Sequence, residues 1–294
     1  MVGTTRTSGS VTVATTAVDG DTVAAFQRDG AVYVRRVADD TEVTLLRDGV
    51  ERNLADPSPR FLDASAEGDA GRFVEDFCNW DRIPEYTRFI GGSRAPAIAA
   101  ALMGADTVRL FHDHVLVKEP GTSTPTPWHQ DQPYYNVDGQ QTCSMWLVLD
   151  PVSEASSLTF VAGSHRGPWL LPRTFKDAQA RWFPEGSLAD LPDIDGDLAR
   201  DPDSHRLLRW ALEPGDAVFF SMLTLHSAGG VEGPNRRRAF SLRFLGDDVT
   251  HAPRPWRTSP DFPGLEDELP AGAPMDDPRF PVVWAHGRPG CLQI

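Results

Sequence analysis

The amino-acid sequence predicts a mainly β protein, a sandwich or barrel of short strands with a helical flank before it. From about residue 106 onward, β-type runs alternate with turn residues, whereas helical spacing of apolar residues is found mostly upstream. A length of 294 residues fits one large domain, and no internal repeat is evident. We therefore expect a single domain over residues 20–294, preceded by a poorly ordered polar lead-in over 1–19. Its expected parts are a helical flank (20–105), a β core (about 106–248) that contains an insertion (170–206), and a tail (249–294).

Three helices and one strand are expected in the flank. The segment 19–30 offers Asp19 or Asp21 as a helix cap and Gly30 as a stop signal. The other elements are a strand over 31–37, where apolar residues alternate, a helix over 40–50, and a helix over 84–103 that is broken near the glycines at 91 and 92.

Five runs in the core have the composition of strands and end at turn residues. In order they are TVRLFHDHVLVKEP (107–120), CSMWLVLDPV (143–152), SLTFVAGSHRG (157–167), EPGDAVFFSMLTLHSAGG (213–230) and RRRAFSLRFLGDD (236–248). Within the fourth run, Ala217–Leu225 is expected to form one buried strand that ends at His226.

Charge and composition limit the classes of molecule that the protein is expected to bind. A net charge of −14 argues against binding nucleic acid or an anionic membrane surface. No apolar run approaches the ~18–20 residues of a membrane span, and the first residues lack the pattern of a signal peptide. Three cysteines without a C-x-x-C motif indicate a reduced interior. These observations predict a cytoplasmic protein that acts on a small molecule; its oligomeric state is not readable from the sequence.

His129-Gln130-Asp131 is the first candidate metal motif. Acids make up 42 of 294 residues, so one H-x-D/E among eight histidines is expected by chance, and a surface turn explains the triplet equally well. In an extended segment, however, residues i and i+2 point the same way and can bind one ion. His226 could add a distant third ligand, although a buried histidine satisfied by a backbone carbonyl is the common alternative. Two imidazoles and one carboxylate form the facial triad of Fe(II) sites that activate O2.

Arg237 is the candidate anchor for a carboxylate of 2-oxoglutarate. An arginine fork binds a carboxylate at two points, and alternation places Arg237 on the same strand face as Ser241. Arg243 shares that face and is the main rival, and most arginines in such a run are solvated. His112 and His114 also share a face, but no third ligand follows at a sensible spacing. Lys118 is explained by solvation at a strand end.

Five segments, WHQDQPYY, MWLVLD, FVAGSHRG, PGDAVFFSMLTLHSAG and RRRAFSLRFLGDD, together resemble the phytanoyl-CoA dioxygenase (PhyH) family of Fe(II)/2-oxoglutarate oxygenases. The resemblance covers roughly residues 106–248 and implies a double-stranded β-helix, the jelly-roll or cupin-like barrel. It implies a triad of iron ligands, an anchor for 2-oxoglutarate and three further residues of the co-substrate site. The ligands are His129, Asp131 and His226, the anchor is Arg237, and the further residues are Trp146, Ser241 and His114. Some members of the family have serine at the position of Ala228, so contacts with the co-substrate are expected to differ there.

The resemblance implies hydroxylation of an unactivated C–H bond, with O2 consumed and 2-oxoglutarate converted to succinate and CO2. Related halogenases lack the carboxylate of the triad, so Asp131 favours hydroxylation, desaturation or ring chemistry over halogenation. Two alternatives stay open: a cupin-type dioxygenase or isomerase that does not use 2-oxoglutarate, and a non-catalytic binder of small molecules. The insertion, residues 132–140 and the tail are expected to shape the substrate pocket. The aromatic residues Trp128, Trp169, Trp182 and Trp256 predict a partly apolar small molecule as the substrate. The low lysine count gives no indication of a coenzyme A handle, so an acyl-CoA substrate is not predicted.

Overall fold

The computed structural model of the protein describes residues 17–65, 68–122, 125–171, 183, 186–231 and 234–287. All but the last three residues of the predicted lead-in lie outside these ranges. The helices are α1 (Gly20–Asp29), α2 (Asp40–Ala55), α3 (Pro84–Gly92), α4 (Ala95–Met103), α5 (Ile194–Arg200) and α6 (Leu265–Glu268). The strands are β1 (Ala31–Val34), β2 (Leu62–Asp63), β3 (Phe73–Phe77), β4 (Thr107–Lys118), β5 (Thr126–His129), β6 (Val137–Asp138), β7 (Thr142–Val148), β8 (Leu158–Val161), β9 (Leu207–Leu208), β10 (Ala217–Phe220), β11 (His226–Ala228), β12 (Arg237–Leu245), β13 (Thr250–His251) and β14 (Val282–Ala285).

The helices of the flank begin and end where their capping residues lie. The Asp19 side chain accepts a hydrogen bond from Thr22 N at the start of α1, and Gly30 ends the helix with a φ of 82°. Asp39 and Glu42 form a capping box at the start of α2. The break predicted in the third helix falls between α3 and α4, just after the two glycines.

The strands form an eight-stranded sheet and a four-stranded sheet, both antiparallel, together with a two-stranded ribbon. The large sheet runs β1-β10-β7-β12-β4-β3-β2, with β14 also paired to β4. The small sheet runs β5-β11-β8-β9, and the ribbon pairs β13 with β6. This arrangement, together with the solved structures reported below, confirms the mainly β, double-stranded β-helix fold.

Side chains alternate across the large sheet and separate its two faces. On β12, Phe240 packs with Tyr86 and Phe89 of α3 at ring-centroid distances of 4.5 and 5.9 Å. The helices of the flank therefore cover this outer face with the largest apolar cluster. Ala239, the neighbour of Phe240 on β12, points to the opposite face of the sheet, which we call the inner face. There it packs with Trp146 in a second, inner apolar cluster.

One sequence-based expectation for the strands is wrong, and the structure adds strands that the sequence did not predict. The run expected as one strand over Ala217–Leu225 is split, because a turn after Phe220 carries the chain from β10 in the large sheet to β11 in the small one. The helical flank also contains β2 and β3, which extend the large sheet beyond β4. The tail adds β14, which pairs with the first residues of β4.

Candidate metal centre and co-substrate site

The two predicted histidine ligands are cross-strand partners in the small sheet. His226 at the start of β11 pairs with His129 at the end of β5, and their ring centroids lie 4.2 Å apart. The Nδ1 atom of His129 lies 2.8 Å from Pro127 O, and that of His226 lies 2.9 Å from Thr224 O. Each Nδ1–H therefore donates to a carbonyl, which leaves both Nε2 lone pairs for a metal.

Asp131 completes the triad two residues after His129. Its Oδ1 lies 3.6 Å from His129 Nε2 and 3.8 Å from His226 Nε2. All three side chains are buried, and one potential ligand atom from each lies within 4.8 Å of the others. Two neutral imidazoles and a carboxylate that face one point are the donor set of a mononuclear Fe(II) site. The residues present therefore fit the metal that the sequence predicts.

Two buried groups hold the other oxygen of Asp131. Ser144 Oγ donates a hydrogen bond to Oδ2 over 2.7 Å, and Arg243 Nε lies 3.0 Å from the same oxygen. Burial by itself would raise the pKa of Asp131, but the charge of the buried Arg243 holds it well below the usual carboxyl range. The carboxylate is therefore anionic and ready to bind a cation.

His226 lies against an apolar wall. Its ring centroid is 4.7 Å from that of Phe220 and 5.6 Å from that of Phe160. Burial, followed by the neighbouring His129, lowers the pKa of His226 to about 3. The imidazole is therefore neutral at physiological pH, as a metal ligand must be.

Gln130, the middle residue of the motif, points away from the metal and joins two loops. Its Nε2 donates to Leu223 O over 2.8 Å, and its Oε1 accepts a hydrogen bond from Leu170 N over 2.8 Å. Leu223 lies in the turn that leads into His226, so Gln130 fixes one ligand-bearing segment against the other.

Arg237 is a buried cation on the inner face of β12. Its guanidinium donates to Ser156 O and lies with Cζ 5.7 Å from the centroid of the Trp146 ring. Burial lowers the pKa of Arg237 to about 10, so it stays charged at physiological pH. Among the residues that the structure describes, no acid forms an ion pair with it, which leaves the guanidinium suited to a carboxylate from a ligand. The rival Arg243 is paired with Asp131 instead.

Lys118 lies directly beside this anchor, and the expectation that it is solvated at a strand end is wrong. It is the cross-strand partner of Arg237, is fully buried, and sits with Nζ 4.4 Å from the Phe73 ring centroid. Burial, and then the charge of Arg237, lower the pKa of Lys118 to about 7. The inner face therefore presents two adjacent basic groups at this end of β12.

His114 of β4 and Ser241 of β12 are cross-strand partners on the inner face. Along the strands they lie between the Arg237–Lys118 pair and Arg243. His114 Nε2 is 3.0 Å from Glu75 Oε2 of β3, and its ring stacks on Phe77 at a centroid distance of 4.0 Å. Ser241 Oγ donates to Met145 O over 2.6 Å and accepts a hydrogen bond from Arg243 Nη1 over 2.7 Å. Ser241 is therefore engaged with Arg243 and not with Arg237.

Aromatic residues from three segments gather beside His129. The Tyr134 ring lies 5.9 Å from the His129 ring and 6.0 Å from Phe183, which in turn lies 5.5 Å from Trp256. The guanidinium of Arg254 adds cation–π contacts with Trp256 and Trp169. Trp128 donates to Asp195 Oδ1 of α5 over 3.0 Å. The fourth expected aromatic, Trp182, lies outside the described residues.

Several residues of the site were missed by sequence reasoning because their roles depend on partners far along the chain. They are Ser144 and Arg243 around Asp131, Gln130 behind the ligands, Glu75 behind His114, and Lys118 beside Arg237. The apolar alternation through VLVK at the end of β4 is the one signal that could have shown Lys118 to be buried.

A family model described as phytanoyl-CoA dioxygenase (PhyH) matches residues 26–239, well over half of the chain. The protein belongs to the PhyH family. This confirms the resemblance predicted from the five sequence segments, and the match extends upstream of them into the helical flank.

Two curated PhyH relatives share modest identity with the chain. It is 26% identical over 187 residues to a probable phytanoyl-CoA dioxygenase of Caenorhabditis elegans, which covers 60% of this chain and 54% of that protein. It is 22% identical over 241 residues to the peroxisomal phytanoyl-CoA dioxygenase of Rattus norvegicus, covering 80% and 64%. This PhyH chain thus spans between half and two thirds of the length of these relatives.

Solved structures of non-haem iron proteins superpose well on this PhyH chain. The epimerase SnoN in complex with Fe3+, α-ketoglutarate and nogalamycin RO gives a TM-score of 0.71 at 25% identity, covering 90% of this chain and 98% of that one. The α-ketoglutarate-dependent carbocyclase SnoK gives 0.69 at 24%, covering 92% and 99%. EctD from S. alaskensis with 2-oxoglutarate and 5-hydroxyectoine gives 0.64 at 21%, covering 89% and 86%. The predicted iron and 2-oxoglutarate are thus present in the SnoN relative, and the triad to hold the metal is present here.

Within the ranges that the structure describes, no helix combines the length and the apolarity needed to cross a membrane. The cytoplasmic location stays a prediction.

Proposed function

We propose that this PhyH protein is an Fe(II)/2-oxoglutarate-dependent dioxygenase, with His129, Asp131 and His226 as the metal ligands. The observation that supports this most is the pairing of an intact facial triad with a buried arginine that has no acidic partner among the described residues. When bound, iron and 2-oxoglutarate supply the oxidising power for O2 chemistry, and the protein supplies positioning and exclusion of water.

The side chains on the inner face of the large sheet favour one orientation of bound 2-oxoglutarate. We place its distal carboxylate at Arg237 and Lys118, and its keto-acid end toward the triad. Trp146 would line the space beside Arg237, and His114 and Ser241 would lie along it, with Ser241 acting through Arg243. Ala228 of β11 packs in the inner apolar cluster, and its methyl group offers the co-substrate no hydroxyl.

The substrate we propose is a small, partly apolar molecule that is hydroxylated at an unactivated C–H bond. The aromatic residues Tyr134, Phe183 and Trp256 beside His129 support an apolar surface on the substrate side. SnoN and SnoK, an epimerase and a carbocyclase, share the fold. The retained carboxylate of Asp131 favours this oxidative chemistry over halogenation. Nucleic acid and membranes are not expected as partners, given the charge of −14.

The Arg237→Ala variant separates this function from that of a cupin-type enzyme without 2-oxoglutarate. With Fe(II), ascorbate and 2-oxoglutarate, wild type should convert 2-oxoglutarate to succinate, slowly alone and faster with an accepted substrate. Loss of a charge-assisted, two-point contact should raise the KM for 2-oxoglutarate by about tenfold to a hundredfold. An Arg237→Ala variant with an unchanged KM, or a wild type that forms no succinate across a broad substrate panel, would refute the proposal.

A further inference from the structure

The two oxygens of the Asp131 carboxylate have different surroundings. Oδ1 faces the Nε2 atoms of the two histidines at 3.6 and 3.8 Å. Oδ2 accepts a hydrogen bond from Ser144 Oγ over 2.7 Å and lies 3.0 Å from Arg243 Nε. We propose that Ser144 and Arg243 are positioning residues that fix Asp131 as a one-oxygen metal ligand and so keep a coordination position open for 2-oxoglutarate. This inference rests on the proposed function.

The backbone register explains why the two donors converge on one oxygen. Ser144 of β7 and Arg243 of β12 are direct cross-strand partners, and both side chains are buried on the inner face. Neighbouring partners in an antiparallel pair project side by side from the sheet. The Ser144 hydroxyl and the Arg243 guanidinium therefore both reach Oδ2, one by a hydrogen bond and the other by an ion pair.

Arg243 is itself held in place by neighbouring side chains, so it can fix the orientation of the Asp131 carboxylate. Its Nε also lies 3.1 Å from Tyr135 Oη, and its Nη1 donates to Ser241 Oγ over 2.7 Å. Three partners around one planar guanidinium leave it little freedom to rotate. A lysine in its place has a single charged nitrogen and cannot meet all three in the same geometry.

Fixing Asp131 in this way would determine how many coordination positions on the metal stay free for other ligands. A carboxylate can bind a cation through one oxygen or through both. The facial triad leaves three of six positions open only when the carboxylate uses one oxygen. If Oδ2 were released, Asp131 could turn and occupy a position that the chelating co-substrate requires. Groups that hold a ligating side chain in this way are expected to act on the metal complex without touching substrate.

The test uses the full chain loaded anaerobically with Fe(II) and, separately, with Co(II), whose visible bands report coordination number. In Arg243→Met, we expect one Co(II) per chain with altered bands, and at least a fivefold smaller Fe(II)–2-oxoglutarate charge-transfer absorbance at a 2-oxoglutarate concentration that saturates wild type. In Ser144→Ala, we expect the Kd of 2-oxoglutarate to rise two- to fivefold. Arg238→Met is the matched control, since Arg238 lies on the same strand but pairs with Asp150 on its other face; its spectra should match wild type.

An Arg243→Met protein with wild-type charge-transfer absorbance and wild-type Co(II) bands would overturn the inference while leaving the proposed function intact. If Arg243→Met does not fold, Ser144→Ala decides, and an unchanged Kd and spectrum in that variant would overturn it. A wild-type protein that gives no charge-transfer absorbance would instead refute the proposed function itself.

Discussion

His129 and His226 face each other across the antiparallel pair of β5 and β11, with ring centroids 4.2 Å apart. Nearly a hundred residues separate them in the chain, and the small sheet brings them together as direct partners. Asp131 follows His129 by two residues, just after the end of β5, and its carboxylate lies 3.6 Å from the same ring. The candidate metal centre thus depends on the pairing of β5 with β11. Substitutions near this pair should therefore change stability or metal binding.

Removal of the Asp131 side chain should destabilise the metal-free protein. Asp131→Ala would leave Arg243 charged, buried and without its carboxylate partner, which costs about 3 to 5 kcal/mol in the free energy of unfolding. His129→Ala breaks no buried ion pair with an arginine and serves as the control. Urea unfolding of the EDTA-treated proteins measures both. Equal losses of stability in the two variants would show that the Asp131–Arg243 pair contributes little.

The affinity for 2-oxoglutarate should fall as the pH rises from 6 to 8.5. The pKa of Lys118 is lowered to about 7, so its ammonium is charged below that pH and neutral above it. The charged form attracts the co-substrate carboxylate, and its loss should weaken binding by up to about tenfold. Arg237, with a pKa of about 10, stays charged throughout this range, and His226 stays neutral.

Lys118→Met should bind 2-oxoglutarate more weakly and without this pH dependence. Other charges near Lys118 are Arg237, Glu75 and Asp69, and these remain in the variant. Anaerobic titrations of the charge-transfer absorbance at several pH values measure the effect. A slope that persists in Lys118→Met would assign the dependence to another group.

Gln130→Ala should reduce both stability and metal affinity. The side chain makes hydrogen bonds to Leu223 and Leu170, and their loss leaves buried backbone groups unpaired at a cost of about 1 to 3 kcal/mol. Since Leu223 lies in the turn before His226, Fe(II) binding should weaken by about tenfold. Gln132→Ala is the matched control, because its side chain bonds to Gly139 and Thr142 instead. A metal affinity that falls equally in both variants would refute a specific role for Gln130.

The fold class could be predicted from the sequence, and so could the three side chains that the structure brings together as a candidate metal site. Alternating strands and turn residues have local signatures, and an H-x-D pair needs only an extended backbone to converge. The choice of Arg237 over Arg243 depended on family spacing. The structure supports it because Arg243 is committed to Asp131 while Arg237 has no acidic partner among the described residues.

The remainder depends on pairings between distant residues, which a single sequence does not reveal. Glu75 meets His114 only because β3 pairs with β4, and β3 lies between two predicted helices where no strand was predicted. The turn between Phe220 and His226 contains the apolar residues Met222, Leu223 and Leu225, so it looked like a continuation of the strand. Likewise, β14 is a short strand in a proline-rich tail, and it forms only because the first residues of β4 have an open edge.

The central claim is that His129, Asp131 and His226 bind one ferrous ion with room for 2-oxoglutarate. The most direct measurement is an anaerobic titration of the protein with Fe(II) and 2-oxoglutarate, followed by visible absorption. We predict a weak charge-transfer band that saturates at one iron per chain in wild type and is absent in His129→Ala and His226→Ala, both folded by circular dichroism. A band of wild-type intensity in either variant, or none in wild type, would contradict the account.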